Sequence, residues 1–298
     1  MQAEGHRTID KASLPARRAR LESAAFQTSI EPVPGYRPRL DGSPRGGRAV
    51  FESAAQEEPL LDAWAGSFGA HANLEVVFGN DDRVAVAETS RNPWRQICAL
   101  RIRSATGRLF VGTGWLIGPR ALATAGHCVY MHREGGFARS IEVIPALNGS
   151  ARPFGSFVST RVRAVDGWVV DKRPDCDYGV ILLDEDIGSR IGWWEVRAHS
   201  DDLLTGTDGN ISGYPQDRDQ ASRQYFHSRT LDEVSPGLLY YRIDTFGGQS
   251  GSPVWQNANG DRIAVGVHTA GGATANYGTR ITPAVLQNLK EWREESNA

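Results

Sequence analysis

Beyond residue 75 the chain is written in short apolar runs separated by turn residues. Trp115-Leu116-Ile117, a Gly118-Pro119 break and Ala121-Leu122-Ala123 read as a hairpin, because Gly-Pro stops one strand and reverses the chain. Runs at 141–147, 178–183, 210–213, 238–243, 252–256 and 263–268 have the length and composition of further strands. Asn257-Ala258-Asn259-Gly260 supplies a hairpin loop between the last two. At the C-terminus the apolar period changes to that of a helix. Thr282 can cap it, Pro283 suits its first turn, and Val285, Leu286, Leu289 and Trp292 share one face. Many strands and one terminal helix predict an all-β barrel architecture, and residues 76–298 would hold two barrels of similar size.

Residues 1 to about 72 lack this pattern. Between Glu31 and Arg48 stand Pro32, Pro34, Pro38 and Pro44 with four glycines, a composition that suits an extended linker. Leu60, Leu61, Trp64 and Phe68 have the spacing of a short helix that docks on a neighbour. The division is therefore a low-order segment, 1–75, followed by a folded domain, 76–298. The 33 glycines and 15 prolines favour a turn-rich chain. A net charge of −2 gives no bulk attraction to nucleic acid or to an anionic membrane. No apolar run approaches the ~20 residues that a spanning helix needs. Basic residues near the start (Arg7, Lys11, Arg17, Arg18, Arg20) are not followed by an apolar stretch, so no secretory signal is readable. Three cysteines, an odd number, cannot all pair within the chain.

Three strings carry candidate chemistry. In Gly247-Gly248-Gln249-Ser250-Gly251-Ser252-Pro253, glycines permit a backbone that turns successive N–H groups toward one point beside a serine hydroxyl. Thr124-Ala125-Gly126-His127-Cys128 follows an apolar strand and offers a base. Asp177-Tyr178-Gly179 opens another apolar strand, and a carboxylate buried there needs a partner such as an imidazole N–H. Asp175 competes with Asp177 but lies beyond Cys176, further from the strand. Singly, a turn, a core histidine and a strand-end aspartate would explain each string; together they define nucleophile, base and orienting acid in one chain order.

That order, with the text around it, resembles the chymotrypsin-like peptidases, and among them the bacterial glutamyl endopeptidases of the V8 protease type. The matching residues are Asn80-Asp81-Asp82-Arg83, the run from Gly112 to Tyr130, Asp177-Tyr178-Gly179, Ile211-Ser212-Gly213-Tyr214-Pro215, the run from Asp244 to Val254, Val267-His268-Thr269, and Gly278-Thr279-Arg280-Ile281-Thr282. They span the whole of 76–298. The resemblance implies two six-stranded antiparallel β-barrels of the chymotrypsin/trypsin type with a C-terminal helix, preceded by a largely disordered propeptide. It implies a serine endopeptidase with His127, Asp177 and Ser250 as triad. The N–H groups of Gly248 and Ser250 would form its oxyanion hole, and Thr269 to Gly271 an edge that pairs with an extended substrate. Neither metal nor organic cofactor is required. The expected partners are protein or peptide substrates, met by a monomer outside the cytoplasm.

Two readings of specificity compete, and the resemblance favours cleavage after Glu, with the Arg/Lys reading as the alternative. Asp244 stands at the offset of trypsin's specificity aspartate, which implies cleavage after Arg or Lys. Thr245 and His268 match the positions that read a glutamate carboxylate in V8-type enzymes, which implies cleavage after Glu and, less well, Asp. The string from Val76 to Arg83 resembles the mature start of the glutamyl endopeptidases, so the resemblance implies a zymogen cut after Glu75, with the new Val76 amine completing the acidic-substrate pocket. Position 249 holds glutamine, so the amine–aspartate pair of trypsin-like zymogens cannot form. Many relatives hold a disulfide partner for Cys128 at the position of Gly112; Cys98, on the preceding strand, is the candidate substitute. A catalytically silent binding protein on the same fold is the reading from another class, and labelling of Ser250 by a serine-directed phosphonate separates the two.

Overall fold

In the computed structural model, which describes residues 3–12, 31–40, 60–69, 76–258 and 261–297, the chain folds as two barrels. The first is built from Ile97–Arg103 (β1), Leu109–Leu116 (β2), Ala121–Thr124 (β3), Ser140–Pro145 (β4), Phe157–Ser159 (β5), Arg161–Val165 (β6) and Gly179–Leu182 (β7). They lie in the order β6-β7-β3-β2-β1-β4-β5, and the chain itself joins the two edges where it passes from Ser159 to Arg161. Leu100, Ile102, Leu122, Val143, Val162 and Ile181 are buried in its core. The second barrel consists of Asp208–Gly213 (β8), Tyr225–Val234 (β9), Leu238–Tyr241 (β10), Pro253–Ala258 (β11), Asp261–Gly271 (β12) and Asn276–Arg280 (β13). Their order is β12-β11-β8-β9-β10-β13, and β13 also pairs with β12, so the ring closes. Ile211, Leu231, Leu239, Val254 and Val265 fill it.

The expected hairpin appears as β2–β3 and the expected helix as Pro283–Glu295 (α1). Thr282 Oγ1 accepts the Val285 N–H at 3.3 Å, and the four apolar side chains of the helix face are buried. Part of the predicted Asn257–Gly260 loop, Asn259 and Gly260, lies outside the described residues. Five barrel strands were not legible as apolar runs, among them the three-residue β5. In β1, Arg101 and Arg103 interrupt the run; Arg101 keeps its stem on the barrel and donates to the carbonyls of Leu100 and Ala221. In β9 most positions between Tyr225 and Val234 are partly or fully exposed. β6 and β13 are short and carry arginine at their ends.

The described parts of residues 1–75 take their order from the barrels. Thr8–Ile9 pairs with Ala164–Val165 of β6, and the Trp292 indole donates to Thr8 Oγ1 at 3.0 Å. Val33 and Tyr36 bridge to Val196 and Trp193. Leu61–Asp62 joins β2 in parallel, so of the short helix expected from Leu60, Leu61, Trp64 and Phe68 only the turn Ala65–Phe68 forms, with Trp64 at its N-cap. A proline-rich stretch has no core of its own, but it can occupy the edge of another's sheet.

All three cysteines are free and buried. Cys98 is therefore not the partner of Cys128: its Sγ contacts the Gln96 carbonyl at 3.8 Å, while Cys128 Sγ contacts that of Ser250 at 3.6 Å. A Cβ at Gly112 would lie 2.8 Å from Cys128 Sγ. Gly112→Cys is thus expected to form a disulfide with Cys128 and, by closing a loop of about 15 residues, to stabilise the domain by about 3 kcal/mol. Thermal melts with and without reductant check this; a gain that reductant does not abolish would refute the pairing.

Candidate active site

His127 stands on a single helical turn, Gly126–Val129, at the end of β3. Gly126 is glycine for a local reason, since a Cβ there would meet the Trp168 ring at 2.9 Å and Asp177 Oδ1 at 3.0 Å. Asp177 follows the turn Pro174–Cys176 and leads into β7. Both of its oxygens serve His127: Oδ1 accepts the backbone N–H at 2.8 Å, and Oδ2 lies 2.8 Å from Nδ1. The ring is thereby fixed, and Nε2 is left as the atom that can exchange a proton. Nε2 is buried and has no hydrogen-bond partner among the described residues. Burial by itself disfavours the imidazolium, but the adjacent Asp177 carboxylate and Cys128 together outweigh it and raise the pKa of His127 well above 6.5. Asp175 is engaged elsewhere, with Arg173 at 2.6 Å.

Ser250 lies in a loop that only glycine permits. Gly248 and Gly251 have φ of +98° and +90°, and a Cβ at Gly251 would fall 2.1 Å from the Thr113 carbonyl. Thr113 braces this loop from β2: its N–H donates to the Ser250 carbonyl at 2.8 Å and its hydroxyl to that of Gly248 at 2.8 Å. Thr124 in turn donates to the Thr113 carbonyl at 2.7 Å. Neither threonine carries a readable signal in the sequence, because its role depends on which loop the strand faces. Ser250 Oγ donates to the Thr269 carbonyl at 3.4 Å. The Gly248 N–H donates to Asp62 Oδ1 at 2.9 Å.

The second barrel supplies the neighbouring wall. His268, in β12, has Nδ1 2.7 Å from the Tyr241 hydroxyl, and both side chains are buried. Thr245 Oγ1 is buried without a hydrogen-bond partner among the described residues. Val76 reaches the same place. Its N–H donates to Asn276 Oδ1 at 2.9 Å, its carbonyl accepts from Asn276 Nδ2 at 2.7 Å, and Asn276 pairs with Tyr241 in the sheet. Tyr241 and Asn276 are two site residues that the sequence reading missed. Thr269 and Gly271 occupy the end of β12, where a register shift between His268 and Ala270 leaves Thr269 out of the β13 pairing.

Asp244 has a different occupation. Oδ1 accepts the Phe78 N–H at 2.8 Å, Oδ2 accepts the Asp82 N–H at 3.0 Å, and the Asp244 N–H donates to His227 Nδ1 at 2.8 Å. Asp82, His227 and Asp244 also form the one cluster of possible metal ligands among the described residues. The backbone donors already take up both Asp244 oxygens and one histidine nitrogen, so the cluster fits an anchor for residues 78–82 better than an ion cage. Next to it, the buried Arg83 donates to Asp81 at 2.7 Å, to Asp217 at 2.6 Å and to Gln249 Oε1 at 3.5 Å. Hydrogen bonds from Arg83 hold the Asp81 carboxyl well below the usual carboxylate range.

Two β-barrels meeting at a His–Asp pair and a glycine-framed serine define a chymotrypsin-like serine peptidase. The trypsin family model matches residues 83–292, and the chain belongs to that family; it is a serine endopeptidase. It is similar to the glutamyl endopeptidase of Bacillus licheniformis, with 39% identity over 75% of this chain and 71% of that one. A Bacillus subtilis protein named extracellular metalloprotease is 33% identical over 74% of this chain and 70% of its own length. Among solved structures, a Glu endopeptidase in complex with MPD superposes with a TM-score of 0.66 and 33% identity, covering 74% of this chain and all of that one.

Proposed function

We propose that this peptidase cleaves after glutamate, and after aspartate less well, and that it becomes active when the chain is cut between Glu75 and Val76. In this reading His127 takes the proton of Ser250 Oγ as the hydroxyl attacks the scissile carbonyl and then passes it to the leaving amine, while Asp177 orients the ring and stabilises its cation. The N–H groups of Gly248 and Ser250 hold the oxyanion. Thr269 to Gly271 pair with the extended substrate. His268, Thr245 and the freed Val76 amine receive the substrate carboxylate.

The observation that carries the specificity is the contrast between Asp244 and its neighbours. Both Asp244 oxygens already accept backbone N–H groups and the side chain is fully buried, so it anchors residues 78–82 and is poorly placed for a substrate guanidinium. Thr245, His268 and Val76 converge instead, and each can offer a proton to an anion. An α-amino group with a reference pKa of ~7.7–8.0 is largely cationic at neutral pH. Glu75 itself lies outside the described residues. The names of the similar proteins support both the glutamyl preference and an extracellular site of action.

Two measurements test the reading together. Peptides varied only at the residue before the scissile bond should be cut at least about 100-fold faster after Glu than after Arg or Lys, the range that a paired against an unpaired charge commands. N-terminal sequencing of the active form should return Val76, and Glu75→Gln should remain uncut. A basic preference, or a mature chain that begins far from Val76, would overturn it.

A further inference from the structure

Residues 60–69 do not lie at the edge of the molecule but across the candidate active site. Leu61–Asp62 adds a parallel strand to β2, and the Ala63 N–H donates to the Val111 carbonyl at 3.0 Å. Gln216 Nε2 donates to the Leu60 carbonyl. Asp62, only 4% exposed, projects its carboxylate to the Gly248 N–H, one of the two oxyanion donors of the proposed mechanism. Its Cβ is so close that a Cβ on Gly247 would lie 2.9 Å away. Two residues later Trp64 sets its indole edge-on to the His127 imidazole, with ring centroids 5.2 Å apart. Trp64 stacks on Phe68 at 4.1 Å, and Phe68 lies against Trp168, whose ring also packs on His127. The turn that follows is pinned by the Arg133 N–H on the Gly66 carbonyl at 2.9 Å and by Ser67 beside His132 at 3.3 Å. Gly66 is packed so tightly on Met131 that a Cβ would meet Sδ at 2.6 Å. Under this cover His127 and Ser250 are both fully excluded from solvent.

We infer that residues 60–69 are a built-in inhibitor and that the surface formed by β2, the 247–250 loop and the His127–Trp168 wall is a binding site for an acidic–aromatic peptide. Resting on the assignment of Ser250, His127 and Gly248 proposed above but not on cleavage at Glu75, the inference explains how a seated peptide escapes hydrolysis. The Gly248 N–H meets a side-chain carboxylate and not a peptide carbonyl. A carboxylate is a strong acceptor for that donor and a poor target for a hydroxyl nucleophile. Trp64 meanwhile excludes substrate and water from the base. The occupant is thus bound in the oxyanion site without offering a scissile bond. Cutting after residue 75 leaves the segment held by non-covalent contacts alone, these and the sheet pairings of Thr8–Ile9, Val33 and Tyr36, so it leaves as a ligand leaves.

The test uses the full chain held uncut by Glu75→Gln. The rate at which a fluorophosphonate labels Ser250 is measured in that parent and after adding Asp62→Ala or Trp64→Ala, with Ser250→Ala as the blank. Each added substitution should speed labelling at least about tenfold, since a charge-assisted hydrogen bond or a buried ring contact is lost. A synthetic peptide of residues 60–69 should slow the variants again, and the same peptide with asparagine at position 62 should do so less. Circular dichroism and a thermal melt accompany each variant, and Asp62→Asn, which keeps the side-chain shape, is the second variant if alanine unfolds the chain. A parent that labels as fast as its variants, variants that label no faster, or a peptide without effect would each overturn the inference. Failure of the Glu75 reading would appear in N-terminal sequences and cleavage preferences; the labelling rates are compared only on chains whose intact mass shows residues 60–69 still attached, so they stay separate from it.

Discussion

Replacing Ser250 with alanine is expected to lower turnover of a peptide substrate by about 10⁶-fold, the loss seen when the nucleophile of such a unit is removed. The fold should survive. The bonds that shape the loop are backbone bonds, from the Thr113 N–H to the Ser250 carbonyl and from the Gly251 N–H to the His268 carbonyl, and neither involves Oγ. The variant should therefore melt with the parent while kcat collapses, and a serine-directed phosphonate should no longer attach. A chelator should leave the parent's activity unchanged, because the proposed chemistry uses no metal and, in the Asp82–His227–Asp244 cluster, the Asp244 oxygens and His227 Nδ1 already accept N–H groups. Turnover within tenfold of the parent in Ser250→Ala, or loss of activity on chelation that zinc or calcium restores, would remove Ser250 from its assigned role.

Asp177→Asn should cost about 10⁴-fold in kcat, because the amide cannot hold the imidazole in the required tautomer or stabilise its cation. The pH profile carries a second signature. In the uncut chain burial opposes the His127 cation, the Asp177 carboxylate favours it, and the net displacement is above 6.5. On the proposed cut, removal of the 60–69 cover would readmit water and lessen the opposing burial, while the Asp177 hydrogen bond to the ring would remain. Catalysis needs the neutral ring, so activity should rise with pH through a midpoint above 6.5 and be lost toward acid. In Asp177→Asn the carboxylate that favours the cation is gone while burial still opposes it, so the residual activity should titrate at a lower pH than the parent's. Stability moves in the opposite sense. A pKa raised in the folded state stabilises the fold below the unfolded value near 6.5, and this contribution is lost as pH rises through the folded value. The melting difference between parent and variant should then be larger at mildly acidic pH than at pH 9. A parent profile with its midpoint below 6.5 would contradict the pairing.

What could be read in the sequence was local. The Gly-rich string at 247–252 needs positive φ at Gly248 and Gly251, and composition alone announces such a loop. The capped helix at 283–295 and the β2–β3 hairpin follow from periodicity and turn residues. What could not be read was set by the partner a residue meets after folding. Asp244 occupies a position that fits a basic-specific pocket as a string, and only its two backbone donors distinguish it. Thr113 is one more residue of a buried strand until the loop it braces is known. Asp62 sits in a stretch whose composition predicts little order, and its place follows from the shape of a site contributed by residues more than a hundred positions later. Cys98 lies in the right neighbourhood for Cys128 and points elsewhere.

On the proposed cut between Glu75 and Val76, the anchoring of residues 76–83 bears on how activity would begin. Asn276 grips both amide groups of Val76, Asp244 takes the N–H groups of Phe78 and Asp82, and Arg83 is locked between Asp81 and Asp217, all while the chain is still continuous. Ordering a loose backbone costs about 1–2 kcal/mol per residue in conformational entropy. Here that ordering is completed when the barrel folds, so scission of one bond has no disorder left to remove from the new terminus. The time course of activation should then contain a bond-breaking step and a dissociation step but no slow conformational phase, and its temperature dependence should be that of a reaction and not of a refolding.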